Sequence, residues 1–169
     1  SSWLTVVNYT LFGLASGFLL ATAYAAYLAP ALVNFYAAWS LIITLAVLVT
    51  RTASLMRNAR IKHKSTLQSA IGVRHNRIVQ KSMGFMGGSF NTRDFFHGVK
   101  PLMFRSIKWT FLVLVFPVPM ILLWLGYAGG SPEVLLAAFV VQYLGLLVER
   151  WFFFAQANHP QNLYYQTVS

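Results

Sequence analysis

Apolar and polar residues in this chain are sorted into long blocks and hardly alternate. Residues 1–50 contain no Asp, Glu, Lys or Arg. Two apolar stretches, about 4–27 and 31–50, are separated only by Leu28, Ala29 and Pro30. Two more, about 107–125 and 132–155, follow a polar middle segment, with the glycine-rich run from Gly126 to Ser131 between them. One helix crosses the hydrocarbon core of a bilayer with about 20 apolar residues. Inside lipid the backbone must satisfy its own hydrogen bonds, which leaves helices or a closed barrel. Barrel strands alternate over segments of about ten residues, and these stretches do not. The pattern predicts an all-α fold, a polytopic transmembrane helical bundle of about four spans with a long basic loop in the middle. The predicted parts are a hairpin over 1–50, the loop over 51–106, a second hairpin over 107–156 and a tail over 157–169.

Punctuation residues refine this layout. Pro30 suits the start of the second helix, where its missing N–H is not needed. Ser131, Pro132 and Glu133 supply an N-cap, a first-turn proline and an acid at the positive helix end, so Glu133 is read as a capping residue. Pro117 and Pro119 predict a kink near the middle of the third span. Gly13, Gly17, Ala21 and Ala25 recur every four residues in the first span. That stripe predicts close approach of another helix, within the bundle or from a second copy.

Composition and charge sharpen the picture. Of 169 residues, 57% are hydrophobic and 9% charged, against about 25% charged in soluble domains. Twelve of the 13 Lys and Arg fall between Arg51 and Lys108, leaving only Arg150. The positive-inside rule then places the loop and both termini in the cytoplasm, with the basic flanks against anionic lipid. No basic segment precedes the first apolar stretch, so there is no secretory signal pattern. The absence of an initiator Met fits a fragment of something longer. With no cysteine, the chain cannot supply thiolates to zinc or iron–sulfur clusters. His63, His75, His97 and His159 all lie outside the predicted spans, so no histidine can ligate a haem in the bilayer.

Two regions carry candidate chemistry. In the fourth span Gln142, Glu149 and Gln156 are seven residues apart, hence on one face with a drift of about 20° per step. Arg150 adjoins Glu149, and Tyr143 lies seven residues before Arg150. Ionisable groups cost about 2.5–3.5 kcal/mol each at the centre of an inserted helix, so they face protein or a wet cavity. Two readings stand: an interfacial Glu149–Arg150 pair marking where the helix exits, or a quinone and proton pathway through Gln142, Glu149 and Arg150. The second region is the loop. Residues 65–82 predict a short helix capped by Ser65. After it, "MGFMGGSFNTRDFFHG" is too glycine-rich for a stable helix and too aromatic for a disordered linker. Its Phe85, Phe90, Arg93, Phe95, Phe96 and His97 predict a docking surface for a soluble protein. Aromatic and basic residues together also suit single-stranded nucleic acid, but no RNA-binding motif accompanies them, and the expectation is no nucleic acid.

"STLQSAIGVRHNRIVQKSMGFMGGSFNTRDFFHG", "SIKWTFLVLVFPVPMILL" and "LGLLVERWFFFAQANHPQNLYY" together resemble the membrane anchor subunit of dimethyl sulfoxide reductase. The resemblance is to the C-terminal half of that family's chain, and Glu149, Arg150 and Trp151 lie in its most recognisable piece. It implies a non-catalytic subunit in the inner membrane of a bacterium, tethering an iron–sulfur subunit and a molybdopterin catalytic subunit during anaerobic respiration. The molybdopterin and the iron–sulfur clusters would belong to those partners, and this chain would bind no cofactor of its own. Electrons would come from menaquinol or ubiquinol. The family's quinol residues lie in the N-terminal half, so none is carried over to a position here. Two rivals remain. In half of a solute transporter, Pro117 and Pro119 would mark a broken helix and Glu149 a coupling site; this needs an inverted repeat, and none is visible between 1–50 and 107–156. The other is a purely structural tether.

Overall fold

The computed structural model describes residues 3–60, 68, 69, 72, 75 and 101–155. Among these the ordered elements are all helical, with no strand. Helix α1 spans Trp3–Leu28, α2 Val33–Arg60, α3 Pro101–Val115, α4 Pro117–Gly129 and α5 Pro132–Ala155. The 26 residues of α1 make a rod about 39 Å long at 1.5 Å per residue. Four helical stretches, with α3 and α4 together forming the third, are long and apolar enough to cross a membrane. The predicted all-α architecture is observed.

The chain turns where its sequence forces it to. Residues before proline avoid the α region, and Ala29 sits at φ −148°, ψ 67°, ahead of a 3-10 turn over Pro30–Leu32. The Ala29 N–H still donates to Ala25 at 2.7 Å, so α1 closes cleanly. At the other hairpin Gly130 takes the left-handed conformation (φ 60°) that glycine adopts without strain. Its N–H donates to the Tyr127 carbonyl, and the Ser131 N–H donates to that of Gly126 at 2.9 Å, the paired bonds of a Schellman ending. Ser131 then starts α5: its Oγ accepts from the Val134 N–H at 3.4 Å and donates to Glu133 Oε2 at 2.9 Å. The predicted cap of Ser131, Pro132 and Glu133 is therefore present.

Beside the prolines of the predicted kink, the helix of the third span is interrupted for one residue, Phe116. Pro117 and Pro119 lack N–H groups, so the carbonyls of Val113 and Val115 lose their i+4 donors. Phe116 lies at φ −111°, ψ −78° between α3 and α4. Bonds from the Phe116 N–H to Leu112 (3.3 Å) and from the Met120 N–H to Phe116 (3.2 Å) carry the ladder across.

Helix α1 lies between α2 and α5, and α5 packs on its other side against α3 and α4. Three helices meet along seams with alternating steps of three and four residues. Asn8, Phe12, Ala15, Leu19 and Thr22 form that of α1, and Ser40, Thr44, Val47, Arg51 and Ser54 that of α2. Leu135, Ala138, Gln142, Gly145, Glu149 and Phe152 form that of α5. Such spacing keeps one stripe facing its partner along a gently coiled pair. Near the short turns the seams meet in an apolar cluster of Leu19, Ala23, Leu123, Leu135 and Ala138. Midway they meet in Phe12, Ala15, Val47, Val115 and Phe116. The outward faces carry large apolar side chains such as Trp3, Tyr24, Val49 and Trp124.

Two sequence expectations are corrected. Gly13 and Gly17 do not pack inside this bundle: both are exposed, and a Cβ added at either meets nothing within 4 Å. The α1 seam runs through other positions of the helix, and of the small-residue stripe only Ala25 is buried. Arg51, expected among the basic residues that face anionic lipid, is buried in the bundle, whereas Arg57 and Arg60 are exposed. Helix α2 continues to Arg60 and α3 begins at Pro101, so both run into the 51–106 segment.

Candidate functional site

The site grows from the buried seam of α5. Leu135 and Ala138 occupy it near the short turn, but the following positions are Gln142, Gly145 and Glu149. Gly145 brings α5 against the end of α3: a Cβ there would lie 2.8 Å from Val115 Cγ2 and 2.9 Å from the Leu114 carbonyl carbon. That close approach lets Gln142 reach the broken helix. Its Nε2 donates to the Val115 carbonyl at 3.3 Å. This is the carbonyl that Pro119 leaves without a backbone donor, so the glutamine amide substitutes for the missing N–H.

Two turns further along, Glu149 meets Arg51 of α2. Arg51 Nη2 lies 2.5 Å from Glu149 Oε1, with side chains only 4% and 2% exposed. The Arg51 guanidinium also sits 5.6 Å from the centroid of the Phe111 ring on α3, and that ring packs at 5.2 Å against Phe152. The pair is buried, charged and flanked by aromatic rings. Its hydrogen bonding is incomplete: among the described residues Arg51 Nε and Glu149 Oε2 have no hydrogen-bond partner. Desolvating two charges costs several kcal/mol each, offset only where they meet at close range.

The sequence expectation paired Glu149 with Arg150. The structure corrects this. Adjacent helix residues point about 100° apart, and Arg150 faces α1, where its guanidinium stacks 3.5 Å from the centroid of the Tyr9 ring. Tyr9 in turn meets Phe153 edge-on at 5.6 Å. Gln142 and Glu149 thus share the buried seam, and Arg150 lies beside it. Gln156 is outside the described residues, as are Phe85, Phe90, Arg93, Phe95, Phe96 and His97, and nearly all of the helix expected over 65–82.

Arg51 and Asn8 were not singled out from the sequence. A signal for Arg51 was available, since it falls on the same three–four spacing as the polar residues Ser40, Thr44 and Ser54. Asn8, buried on α1 with neither amide atom hydrogen-bonded among the described residues, likewise lies four residues before Phe12 on its seam. Among the described residues no group of three or more His, Cys, Asp or Glu could hold a metal ion.

The chain is similar to a subunit of the sulfite dehydrogenase of Allochromatium vinosum, with 56% identity over 166 residues. The alignment covers 98% of this chain and 51% of that protein, so the chain spans about half the length of the curated relative it matches. No protein-family model matches the chain, and no solved structure does.

Proposed function

We propose that this chain is the membrane part of a molybdopterin oxidoreductase complex and links quinone in the bilayer to a soluble iron–sulfur partner. The observation that carries this reading is the 56% identity, along nearly the whole chain, to a protein of a sulfite dehydrogenase, joined to four spans that hold a buried acid. The chemistry at stake is quinone + 2 e⁻ + 2 H⁺ ⇌ quinol, with electrons exchanged with the iron–sulfur partner and protons with groups such as Glu149. Resemblance to the dimethyl sulfoxide reductase anchor gives the direction of quinol oxidation, from menaquinol or ubiquinol. The relative's name, a dehydrogenase, favours the reverse, with electrons leaving the soluble subunits and reducing quinone. The direction follows from the partner's substrate; the membrane role is the same.

Glu149→Gln tests the site. The complex should still co-purify, while quinone-linked turnover falls about a hundredfold or more, the size of effect usual for losing a positioned proton donor or acceptor. An artificial dye that exchanges electrons with the soluble subunits should keep its normal rate. Normal quinone turnover in the Gln variant would show that Glu149 only ties α5 to α2. Partner docking is assigned to Phe85, Phe90, Arg93, Phe95, Phe96 and His97. Replacing Phe95 and Phe96 by Ser should release the soluble subunits from membranes while the chain still inserts, and full retention would remove these residues from the interface. We place the protein in the inner membrane of a bacterium with the 51–106 segment in the cytoplasm. A cysteine replacing Ala128 should then label from outside intact cells with an impermeant reagent, and one replacing Ala59 should not; the opposite pattern inverts the topology.

A further inference from the structure

The Arg51–Glu149 pair sits in a layer where several polar atoms have no hydrogen-bond partner among the described residues. Midway through the bundle Phe12, Val47 and Val115 form an apolar layer, with Leu146 packed against it. Helix residues three or four apart lie one above the other. One such step toward the basic end of each helix leads to Asn8 on α1, Arg51 on α2, Phe111 on α3 and Glu149 on α5. Every span therefore contributes one residue to the next layer, and three of the four are polar. Among the described residues both amide atoms of Asn8, Nε of Arg51 and Oε2 of Glu149 are buried there without a hydrogen-bond partner. A dry arrangement of this kind is expensive, because each buried polar atom left unpaired forfeits the bonds it made in water.

We propose that this layer is a water-binding site, a small cluster held between the Asn8 amide, the Arg51 guanidinium and the Glu149 carboxylate. The donor and acceptor inventory suits it. Arg51 Nε and Asn8 Nδ2 offer N–H groups, while Asn8 Oδ1 and Glu149 Oε2 accept. A buried water makes two to four hydrogen bonds and is held where polar groups of both kinds converge. One water accepting from Arg51 and donating to Glu149 satisfies both ions; a second reaches Asn8. Phe111, against the guanidinium, and Phe12, one turn below Asn8, wall the cluster off from the apolar interior. Toward the basic end the next seam position of α2 is Ser54, also buried, whose hydroxyl can pass a hydrogen-bonded chain toward the membrane surface. The waters give Glu149 a route for proton exchange that no side chain supplies alone. The inference rests on packing and hydrogen-bond inventory and does not depend on the redox reading.

Asn8 supplies the test, because a wet and a dry layer respond to its replacement with opposite sign. Thermal unfolding of the chain in lipid nanodiscs is compared for the wild type, Asn8→Leu and Asn8→Ser. In a hydrated layer Asn8→Leu strips the waters of a partner and lowers Tm by about 2–6 °C. Asn8→Ser keeps a polar group, makes room for water and leaves Tm within about 2 °C. In a dry layer Asn8→Leu removes an unsatisfied amide and raises Tm, which overturns the proposal. Equal losses in both variants also overturn it, since they assign Asn8 to shape packing. A high-resolution map of the chain in nanodiscs gives the second readout. Density bridging Asn8 and Glu149 in the wild type and lost in Asn8→Leu supports the site, and a well-resolved layer without such density refutes it.

Discussion

At the end of the bundle with short turns, Leu19, Ala23, Leu123, Leu135 and Ala138 fill the space between helices. At the basic end the seams of the same helices deliver Asn8, Arg51 and Glu149 instead. The spacing of the seams is the same in both halves, so periodicity does not explain the contrast. Connectivity does. At the first end α1 leads to α2 and α4 to α5 through a few residues, and the Tyr127 hydroxyl donates to Asn34 Oδ1 at 2.9 Å, tying one hairpin to the other. At the basic end no turn of a few residues joins α2 to α3: one ends at Arg60 and the other begins at Pro101. Lipid tails are as apolar as leucine, so burying more leucine there would give little net attraction between helices. A close-range charge pair from α2 to α5 supplies an attraction that lipid cannot compete for.

This contrast is most directly broken at Arg51. Arg51→Met should destabilise the chain by about 3–5 kcal/mol, because it leaves Glu149 buried without its countercharge. Adding Glu149→Leu should restore most of that loss. Thermal unfolding in nanodiscs measures both, and a neutral single variant would mean that the pair does not hold the basic end. Gly145 and Gly126 compare close approach in the two halves. A Cβ on Gly145 meets Val115 Cγ2 at 2.8 Å and the Leu114 backbone at 2.9 Å, and one on Gly126 meets the Leu135 side chain at 2.9 Å and its backbone nitrogen at 3.0 Å. Gly145→Ala and Gly126→Ala should each cost about 1–3 kcal/mol, since backbone as well as side chain must give way. A neutral variant at either position would show that the helices there separate easily.

Gln142 sharpens the comparison from within the seam. If its amide replaces the donor that Pro119 lacks, Gln142→Leu should cost about 1 kcal/mol in the wild type. The cost should shrink markedly alongside Pro119→Ala, whose restored N–H can serve the Val115 carbonyl. Additive effects in this double-mutant cycle would disprove the substitution.

What could be read from the sequence was whatever depends on runs of residues. The four spans, the Ser131 cap and the interruption at Pro117 and Pro119 are local, and the structure contains each of them. The buried seam at Gln142 and Glu149 was also legible, because one helix carries both. The partner of Glu149 was not, since Arg51 belongs to another helix and to a cluster of basic residues that otherwise suits the membrane surface. Proximity in sequence favoured Arg150; the 100° turn between neighbours on a helix sends it to Tyr9. The stripe at Gly13 and Gly17 shows a related limit: spacing identifies a face but not what lies against it, and these two glycines face out of the bundle.

The two arginines give the smallest expected effect and the finest comparison. Both approach aromatic rings, Arg51 at 5.6 Å from Phe111 and Arg150 at 3.5 Å from Tyr9. Among the described residues only Arg51 has a carboxylate in contact; Arg150 is half-buried, and its ring contact is the closer. A cation over a ring contributes about 0.5–1 kcal/mol where water still reaches the charge. Arg150→Gln should therefore cost no more than about 1 kcal/mol, well below the loss predicted for Arg51→Met. The effect should vanish in a Tyr9→Leu background, where there is no ring to stack on, and persist in Tyr9→Phe, which keeps the ring and drops the hydroxyl. If instead Arg150→Gln is as damaging as Arg51→Met, Glu149 draws on both cations and the basic end is held by a three-charge cluster. A loss that survives Tyr9→Leu would assign the Arg150 charge to the membrane surface and not to α1.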